Sequence, residues 1–147
     1  MKKDRTLLVD GDIVAYKAAT IAETPINWGE GTWTLHAHEK DVIGSMEEFM
    51  SKIIEESGCD KEYLAEKYNG MVEDNLEADD LLGILGSRSF DTVIWSLDKD
   101  LLTIPAFHLI EGRVVEVGLE EADYNFFYQT LVGDSTDNYK GCPTIGA

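Results

Sequence analysis

Acidic residues recur in this sequence just after short apolar runs, where they could act together as metal ligands. The four groups are Asp10 with Asp12, Glu77 with Asp79 and Asp80, Asp98 with Asp100, and Asp134 with Asp137. Two unit charges about 4 Å apart repel by roughly 4 kcal/mol at an effective dielectric of 20, so a close cluster needs protons or bound cations. Carboxylate oxygens suit Mg²⁺ or Mn²⁺ rather than zinc. Two such ions would clamp the attacking and leaving oxygens of a phosphodiester displacement, which is the chemistry that these residues indicate.

The predicted elements place these acidic groups at element boundaries. Apolar runs predict strands over 5–9, 32–38, 71–72, 92–95, 106–110 and 114–117, while helical spacing predicts helices over 13–21, 39–57, 61–68, 76–86 and 119–132, with a turn over 25–31. This alternation predicts a single α/β domain with a mainly parallel central sheet flanked by helices. Loops at the carboxyl ends of parallel strands meet at one edge of such a sheet, so acids distant in sequence could converge there.

Each acidic group, taken alone, has an ordinary structural explanation. Asp10-Gly11-Asp12 reads as a turn after a strand, and Glu77 to Asp80 as the acidic start of a helix. The stretch from Ser96 to Asp100 could be a capped loop, and the stretch from Gly133 to Asn138 a polar turn. Turns, helix starts and capped loops explain each group separately, but they explain poorly why four acidic groups occur in this order, each at the boundary of an element.

Composition limits the possible functions. Twenty-nine Asp and Glu oppose twelve Lys and Arg, a formal net charge of −17. This sign is wrong for a nucleic-acid-binding protein, because phosphate contacts need Lys and Arg, so positive charge would have to come from metal ions or from further segments. No run approaches the ~20 apolar residues of a membrane span, which predicts no membrane partner. Cys59 and Cys142 stand far apart, which favours a reducing cytoplasm over a disulfide framework.

Four stretches resemble the motifs of a known family. They are LLVDGD at 7–12, LEADDLLGIL at 76–85, VIWSLDKDLLTIP at 93–105 and LVGDSTDNYKGCPTIGA at 131–147. Together they resemble the four acidic motifs of the 5′-nuclease superfamily, which includes flap endonucleases and the 5′–3′ exonuclease domain of bacterial DNA polymerase I. Within that superfamily the similarity is greatest to bacteriophage 5′–3′ exonucleases, whose location would be the host cytoplasm. It covers most of the chain.

The resemblance implies a PIN-like fold and hydrolysis near the 5′ end of DNA or RNA by a metal-activated water, in a role such as DNA replication. It implies two Mg²⁺ or Mn²⁺ ions. Asp10, Glu77 and Asp79 would hold the first, with Asp80 assisting from beside it, and the second would be held or oriented by Asp98, Asp100, Asp134 and Asp137. Residues 1–132 would form the nuclease core. Residues 133–147 would carry the last acidic motif and the start of a truncated helix–hairpin–helix, whose nucleic-acid contacts would be Gly141, Thr144 and Gly146 and whose ion would be K⁺.

The sequence departs from the family pattern in two places. Between Ser57 and Lys61 the chain passes almost directly into KEYLAEKYNG, where family members have another strand and a basic arch that grips the 5′ end. The sequence also ends at Ala147, inside the expected hairpin. Both differences remove positive charge, in keeping with the net charge of −17, and predict impaired turnover.

Two other functions are compatible with the same residues. In a haloacid-dehalogenase-type phosphatase, Asp10 would be the nucleophile and Ser96 a strand-end hydroxyl, but the acids at 77–80 would have no role. In a non-catalytic module, the domain would bind metal ions or nucleic-acid ends without turnover. Metal-dependent cleavage of a labelled oligonucleotide distinguishes the nuclease from both.

Several further side chains have predicted roles. Lys17 and Lys99 adjoin the acids and could contact phosphate or pair with carboxylates, and Lys17 is included among the candidate catalytic residues. Tyr16 could stack on a terminal base, although an aromatic on an amphipathic helix is usually a core residue. The remaining aromatics are predicted to pack in the interior, among them Trp28, Trp33, Trp95, Phe126, Phe127 and Tyr128.

Overall fold

The computed structural model describes residues 5–58, 75–89, 91–136 and 138–145. The predicted elements at 61–68 and 71–72, together with Asp137 and Gly146, lie outside these ranges. In chain order the elements are β1 (Thr6–Val9), α1 (Gly11–Ala22), β2 (Thr24–Gly29), β3 (Thr32–His36), α2 (Glu39–Ser57), α3 (Ala78–Arg88), β4 (Thr92–Trp95), a 3₁₀ helix (Lys99–Thr103), β5 (Ala106–Ile110), β6 (Arg113–Val117) and α4 (Leu119–Val132). None of the helices in the described ranges has the length and apolar character needed to cross a bilayer.

The main sheet has four strands in the order β1-β4-β5-β6. Strand β4 runs parallel to both β1 and β5, and only β6 is antiparallel to its neighbour. The predicted α/β architecture with a mainly parallel sheet and flanking helices is therefore confirmed. Val9 is in register with Trp95, so β1 and β4 end side by side and the chain leaves both at one edge, here called the carboxyl edge.

Apolar side chains of β4 point alternately to two layers of helices. Val93 and Trp95 pack on one face of the sheet with Val14 of α1 and with Met50 and Ile53 of α2. Ile94 points to the other face, where it meets Leu82 of α3 and Leu101 of the 3₁₀ helix. Burying an apolar side chain of this size contributes about 1.5–3 kcal/mol, so β4 anchors both layers.

Two helices have one end at the carboxyl edge. Helix α3 connects closely to β4, because the Thr92 hydroxyl lies 3.1 Å from the Gly86 carbonyl and 2.7 Å from that of Ser89. This tight connection turns α3 antiparallel to β4, which directs its first turn toward the carboxyl edge. Helix α4 follows the antiparallel strand β6 and ends beside the same edge, where Gly133 leads into Asp134.

Residues 25–31 do not form the predicted turn. They belong to a hairpin in which β2 pairs with β3, and its turn lies at Glu30 and Gly31, both at positive φ. The predicted strand over 32–38 ends at His36, because His38 already accepts hydrogen bonds from the first turn of α2. Periodicity did not reveal β2 because TPINWG alternates only from Ile26 to Trp28, and its Pro25 and Gly29 are residues typical of turns.

Interior packing was wrongly predicted for five of six aromatic residues. Trp95 is buried, but the other five are all more than half exposed, namely Trp28, Trp33, Phe126, Phe127 and Tyr128. Both tryptophans lie on the hairpin, which contributes no residue to the core clusters of the described chain. Helix α4 buries only Ala122, so its aromatic residues project away from the sheet.

A buried histidine is expected to make folding stability depend on pH. His108 on β5 is 3% exposed, and its Nε2 lies 2.9 Å from the Ile104 carbonyl, so the neutral ring donates there. Burial lowers the pKa of His108 below its ordinary 6.5, outweighing the hydrogen bond to Ile104 and the charge of Glu121. The folded state therefore binds the imidazolium proton less readily than the unfolded state does.

The free energy of unfolding is expected to be highest above the ordinary His108 pKa of 6.5 and to fall as pH drops through it. His108→Gln, which keeps an N–H donor, should flatten this slope in urea melts between about pH 8 and 6. His36→Gln, which removes a histidine from an exposed position on the hairpin, is the matched control. Equal slopes in the parent and in His108→Gln would contradict the assignment.

Candidate active site

Asp10 is held rigidly where β1 passes into α1. Its side chain is 6% exposed, and its Oδ1 accepts a hydrogen bond from the Ile13 amide at 3.3 Å, which caps the helix. Its backbone N–H donates to the Trp95 carbonyl at 3.0 Å, and its Oδ2 accepts from the Ser96 hydroxyl at 2.8 Å. The first acidic group is thereby joined directly to the segment that follows β4.

The segment after β4 presents two carboxylates in one tight turn. The Asp98 amide donates to the Ser96 hydroxyl at 3.0 Å, and the Asp98 Oδ1 accepts from the Asp100 amide at 2.8 Å, which caps the 3₁₀ helix. The Asp100 Oδ1 accepts from Gln129 Nε2 of α4 at 2.6 Å. Asn125, one turn earlier on α4, donates to the Leu102 carbonyl at 3.0 Å, so α4 holds this turn at two points.

Asp134 reaches the same place from the end of α4. Its backbone pairs with Tyr139 through hydrogen bonds of 2.7 and 2.8 Å, and its Oδ1 accepts from the Thr136 amide at 2.7 Å. Its Oδ2 pairs with Lys99 Nζ at 2.5 Å. The Lys99 hydrogen bond, helped by the Thr136 amide, lowers the pKa of Asp134 to about 2, and the same pairing raises the pKa of Lys99. Asp134 is therefore ionised at neutral pH.

These side chains line one open groove of about 550 Å³ at the carboxyl edge. Its polar lining consists of Tyr16, Lys17, Asp98, Lys99, Asp100, Asp134 and Thr136. The structure thus brings together four of the predicted site residues, Lys17, Asp98, Asp100 and Asp134, with Asp10 joined to the group through Ser96. Three carboxylates face two ammonium groups here, so the groove has a mixed lining rather than a purely acidic one.

The acids of α3 are not among the residues that line this groove. Glu77 is the N-cap residue of α3, so the helix begins at Ala78, two residues later than the predicted start at Leu76, and Asp79 and Asp80 lie in its first turn. The hydrogen bonds and ion pairs within the described ranges do not join Glu77, Asp79 or Asp80 to the groove. Nor do any three His, Cys, Asp or Glu side chains in those ranges lie close enough together to hold a metal ion as they stand.

The segment proposed to contact nucleic acid is anchored to α4. The Cys142 amide donates to the Leu131 carbonyl at 2.8 Å, and the Ile145 amide to the Cys142 carbonyl at 3.2 Å. Gly141 and Thr144 both have positive φ, and Thr144 is exposed. Contact of these residues with nucleic acid stays a prediction.

Gln129 is the residue of the site that sequence reasoning missed. It belongs to no motif, and its spacing on α4 indicates nothing about Asp100, which lies 29 residues away in sequence. Only the packing of α4 against the 3₁₀ helix reveals the contact.

Neither protein-family models nor solved structures include a match to this chain. Two phage proteins are similar to it. The exodeoxyribonuclease of Enterobacteria phage T3 is 35% identical over 89 residues, covering 55% of this chain and 30% of that protein. The exonuclease of Escherichia phage T7 is 34% identical over 84 residues, covering 52% of this chain and 28% of that protein. The chain thus spans less than a third of the relatives that it matches, and the similarity supports a nuclease relationship.

Proposed function

We propose that this chain is the PIN-like core of a divalent-metal-dependent 5′–3′ exonuclease or flap-type nuclease that hydrolyses phosphodiesters near the 5′ ends of DNA or RNA. The observation that carries the proposal is the groove at the carboxyl edge, because Asp98 and Asp100 line it together with Asp134, which belongs to a segment more than thirty residues later. The names of the two phage relatives, exodeoxyribonuclease and exonuclease, support the same class of reaction.

The donor chemistry of the groove fits Mg²⁺ or Mn²⁺. Every candidate ligand is a carboxylate, and hard oxygen donors are what these ions prefer. The proposed ligands of the first ion are Asp10, Glu77, Asp79 and Asp80, and those of the second are Asp98, Asp100, Asp134 and Asp137. Side chains must turn toward a common centre to bind, because the described carboxylates do not yet meet. When bound, such ions polarise the phosphate and activate water.

The protein's own groups would bind and orient the substrate around these carboxylates. Lys17 lies in the groove, and Lys99 would turn from Asp134 toward a phosphate oxygen once other positive charge neutralises that carboxylate. Tyr16 stands at the rim of the groove and is 74% exposed, a position suited to stacking on a terminal base. Ser96 and Gln129 would keep Asp10 and Asp100 oriented.

The phosphatase alternative finds little support in the geometry of Asp10. This side chain is 6% exposed, and both of its oxygens accept hydrogen bonds, from Ile13 and Ser96. A nucleophilic carboxylate has to reach the phosphorus atom of its substrate, and so little exposed surface on Asp10 gives a substrate poor access to it. The hydrogen-bonded, buried position suits a ligand or an orienting group better.

The proposal is tested by incubating the chain with 5′-labelled single-stranded, blunt and flapped DNA, and with RNA. Short labelled products are expected with Mg²⁺ or Mn²⁺ and none with EDTA. Stabilisation of the fold by Mn²⁺ without any cleavage would instead indicate a binding module. Release of inorganic phosphate alone from a 5′-phosphorylated strand would indicate a phosphatase.

Gln129→Met is expected to weaken cleavage because it removes the donor that orients Asp100 while keeping the side-chain length. Loss of an orienting hydrogen bond of this kind typically reduces metal affinity or activity about 10–100-fold. Thr130→Val is the matched control, since the Thr130 hydroxyl bonds only to the Phe126 carbonyl of its own helix in the described contacts. Equal Mn²⁺ affinity, measured by calorimetry, in Gln129→Met and Thr130→Val would rule out the positioning role.

A further inference from the structure

Helix α4 turns an aromatic surface to solvent. Tyr124, Phe127, Tyr128 and Leu131 recur at helical spacing and are 65%, 60%, 54% and 41% exposed. These four residues are here called the aromatic face of α4. The opposite side of the helix carries the buried Ala122 and the residues that hold the 3₁₀ helix.

The aromatic face is a continuous surface rather than a scatter of single exposed residues. The Tyr124 and Tyr128 rings stack with centroids 6.0 Å apart and an interplanar angle of 21°, and Phe127 packs edge-on against Phe126 at 5.6 Å. Large contiguous apolar patches on a soluble domain mark sites of interaction. Aromatic residues are also the type enriched at the centres of protein–protein interfaces.

We propose that the aromatic face of α4 binds a basic polypeptide segment whose apolar side chains cover these rings. Charge identifies the occupant. Helix α4 contains three acids, Glu120, Glu121 and Asp123, and no Lys or Arg, so its side chains sum to −3. Glu120 lies four residues before Tyr124, and Asp123 lies four residues before Phe127, so both acids share the side of the helix that carries the apolar surface. A segment that pairs Lys or Arg with apolar side chains complements both features.

Charge argues against two other occupants. A second copy of the chain would bring another net −17 to the interface, and like-charge repulsion disfavours that association. Single-stranded nucleic acids bind aromatic residues that line a positively charged groove. Helix α4 has no basic side chain, so it would repel the phosphates of a nucleic acid. A basic polypeptide is attracted where both of these are repelled.

The inference rests on the proposed function in one respect, namely what the bound segment would do there. Helix α4 contacts Asp100 through Gln129, and Asp134 follows its C-terminal end. A partner on the outer face of α4 would therefore lie one helix diameter, roughly 10 Å, from the groove. Its basic side chains would add positive charge near a groove in which three carboxylates outnumber two ammonium groups. The two phage relatives have more than two thirds of their length outside the matched region, which is ample polypeptide for such a role.

The binding surface is tested with two fluorescein-labelled amphipathic helical peptides that share one leucine face and differ only in carrying Lys or Glu on the other. Fluorescence anisotropy should show that the Lys peptide binds the intact chain and that the Glu peptide does not. A double substitution, Tyr124→Ser with Phe127→Ser, should reduce the affinity for the Lys peptide at least tenfold, which is equivalent to about 1.4 kcal/mol.

Two further variants distinguish the contribution of the aromatic face to peptide binding from that of the acidic residues of α4. Trp28→Ser removes an equally exposed aromatic from the hairpin and should leave peptide affinity unchanged. The double substitution Glu120→Gln with Asp123→Asn leaves the rings intact. It should weaken binding of the Lys peptide, and the loss of affinity should be greater at low salt. The inference is overturned if the Tyr124 and Phe127 substitutions leave affinity unchanged. The inference is also overturned if the Tyr124 and Phe127 substitutions instead abolish self-association of the chain in sedimentation experiments, or abolish its binding to a thymidine oligonucleotide. Because no cleavage is measured, failure here leaves the nuclease proposal standing.

Discussion

Asp98→Asn is expected to reduce cleavage of a 5′-labelled oligonucleotide by about 10²–10³-fold, the usual effect of removing one preorganised electrostatic group from an active site. The Asp98 carboxylate lines the groove, and its Oδ1 caps the 3₁₀ helix by accepting from the Asp100 amide. Asparagine keeps an oxygen at the capping position and is itself a good cap. The substitution therefore removes a metal-binding charge while preserving the local fold.

The matched control is Glu47→Gln, which removes one negative charge from the exposed surface of α2. It changes the net charge of the protein equally and should leave the rate of cleavage unchanged. Urea melts of both variants should lie close to that of the parent. Parental turnover by a folded Asp98→Asn protein would remove Asp98 from the site.

Gly133→Ala is expected to have the largest effect on local structure. Gly133 has a φ of 87°, and an added Cβ would stand 2.6 Å from backbone atoms of Tyr139, Lys140 and Gly141. The two backbone segments would have to separate, which breaks the pairing of Asp134 with Tyr139. We expect a loss of about 2–4 kcal/mol in the free energy of unfolding, together with loss of cleavage as Asp134 leaves the groove.

Gly44→Ala provides the contrast within the same protein. Gly44 lies inside α2, and an added Cβ there would meet nothing within 4 Å. Alanine in a helix interior is favoured over glycine by about 0.8–1 kcal/mol, so this variant should be slightly more stable than the parent and equally active. If urea denaturation gave Gly133→Ala a midpoint as high as that of Gly44→Ala, the strained crossing at Gly133 would be disproved.

The main elements were predictable because their side chains repeat with the period of the structure. The helix of α2 and the buried run of β4 fell where predicted. Strand β3 of the hairpin was predicted, within the interval 32–38. Its partner β2 was not predictable, because Pro25 and Gly29 in TPINWG indicate a turn. The aromatic residues of α4 were assigned to the interior from their type alone, and only the arrangement of the neighbouring elements reveals which side of the helix is covered.

The candidate site was predictable in outline and not in its contacts. Acids after β1, after β4 and after α4 reach one edge because parallel strands and a returning helix end there. The pairing of Lys99 with Asp134 and the contact of Gln129 with Asp100 depend on long-range packing that no local pattern encodes. The acids at the start of α3 are not among the residues that line the groove.

The position of bound Mn²⁺ tests whether the four acidic groups form one metal centre at the carboxyl edge. In two-dimensional NMR spectra of the labelled chain, substoichiometric Mn²⁺ broadens the amides nearest to it. If the four acidic groups share one metal centre, broadening begins together at 10–12, 77–80, 96–100 and 134–136, and Asp98→Asn weakens it at all four. Broadening that began instead along the acidic surface of α2, at Glu47, Glu48, Glu55 and Glu56, would contradict a shared metal centre at the carboxyl edge.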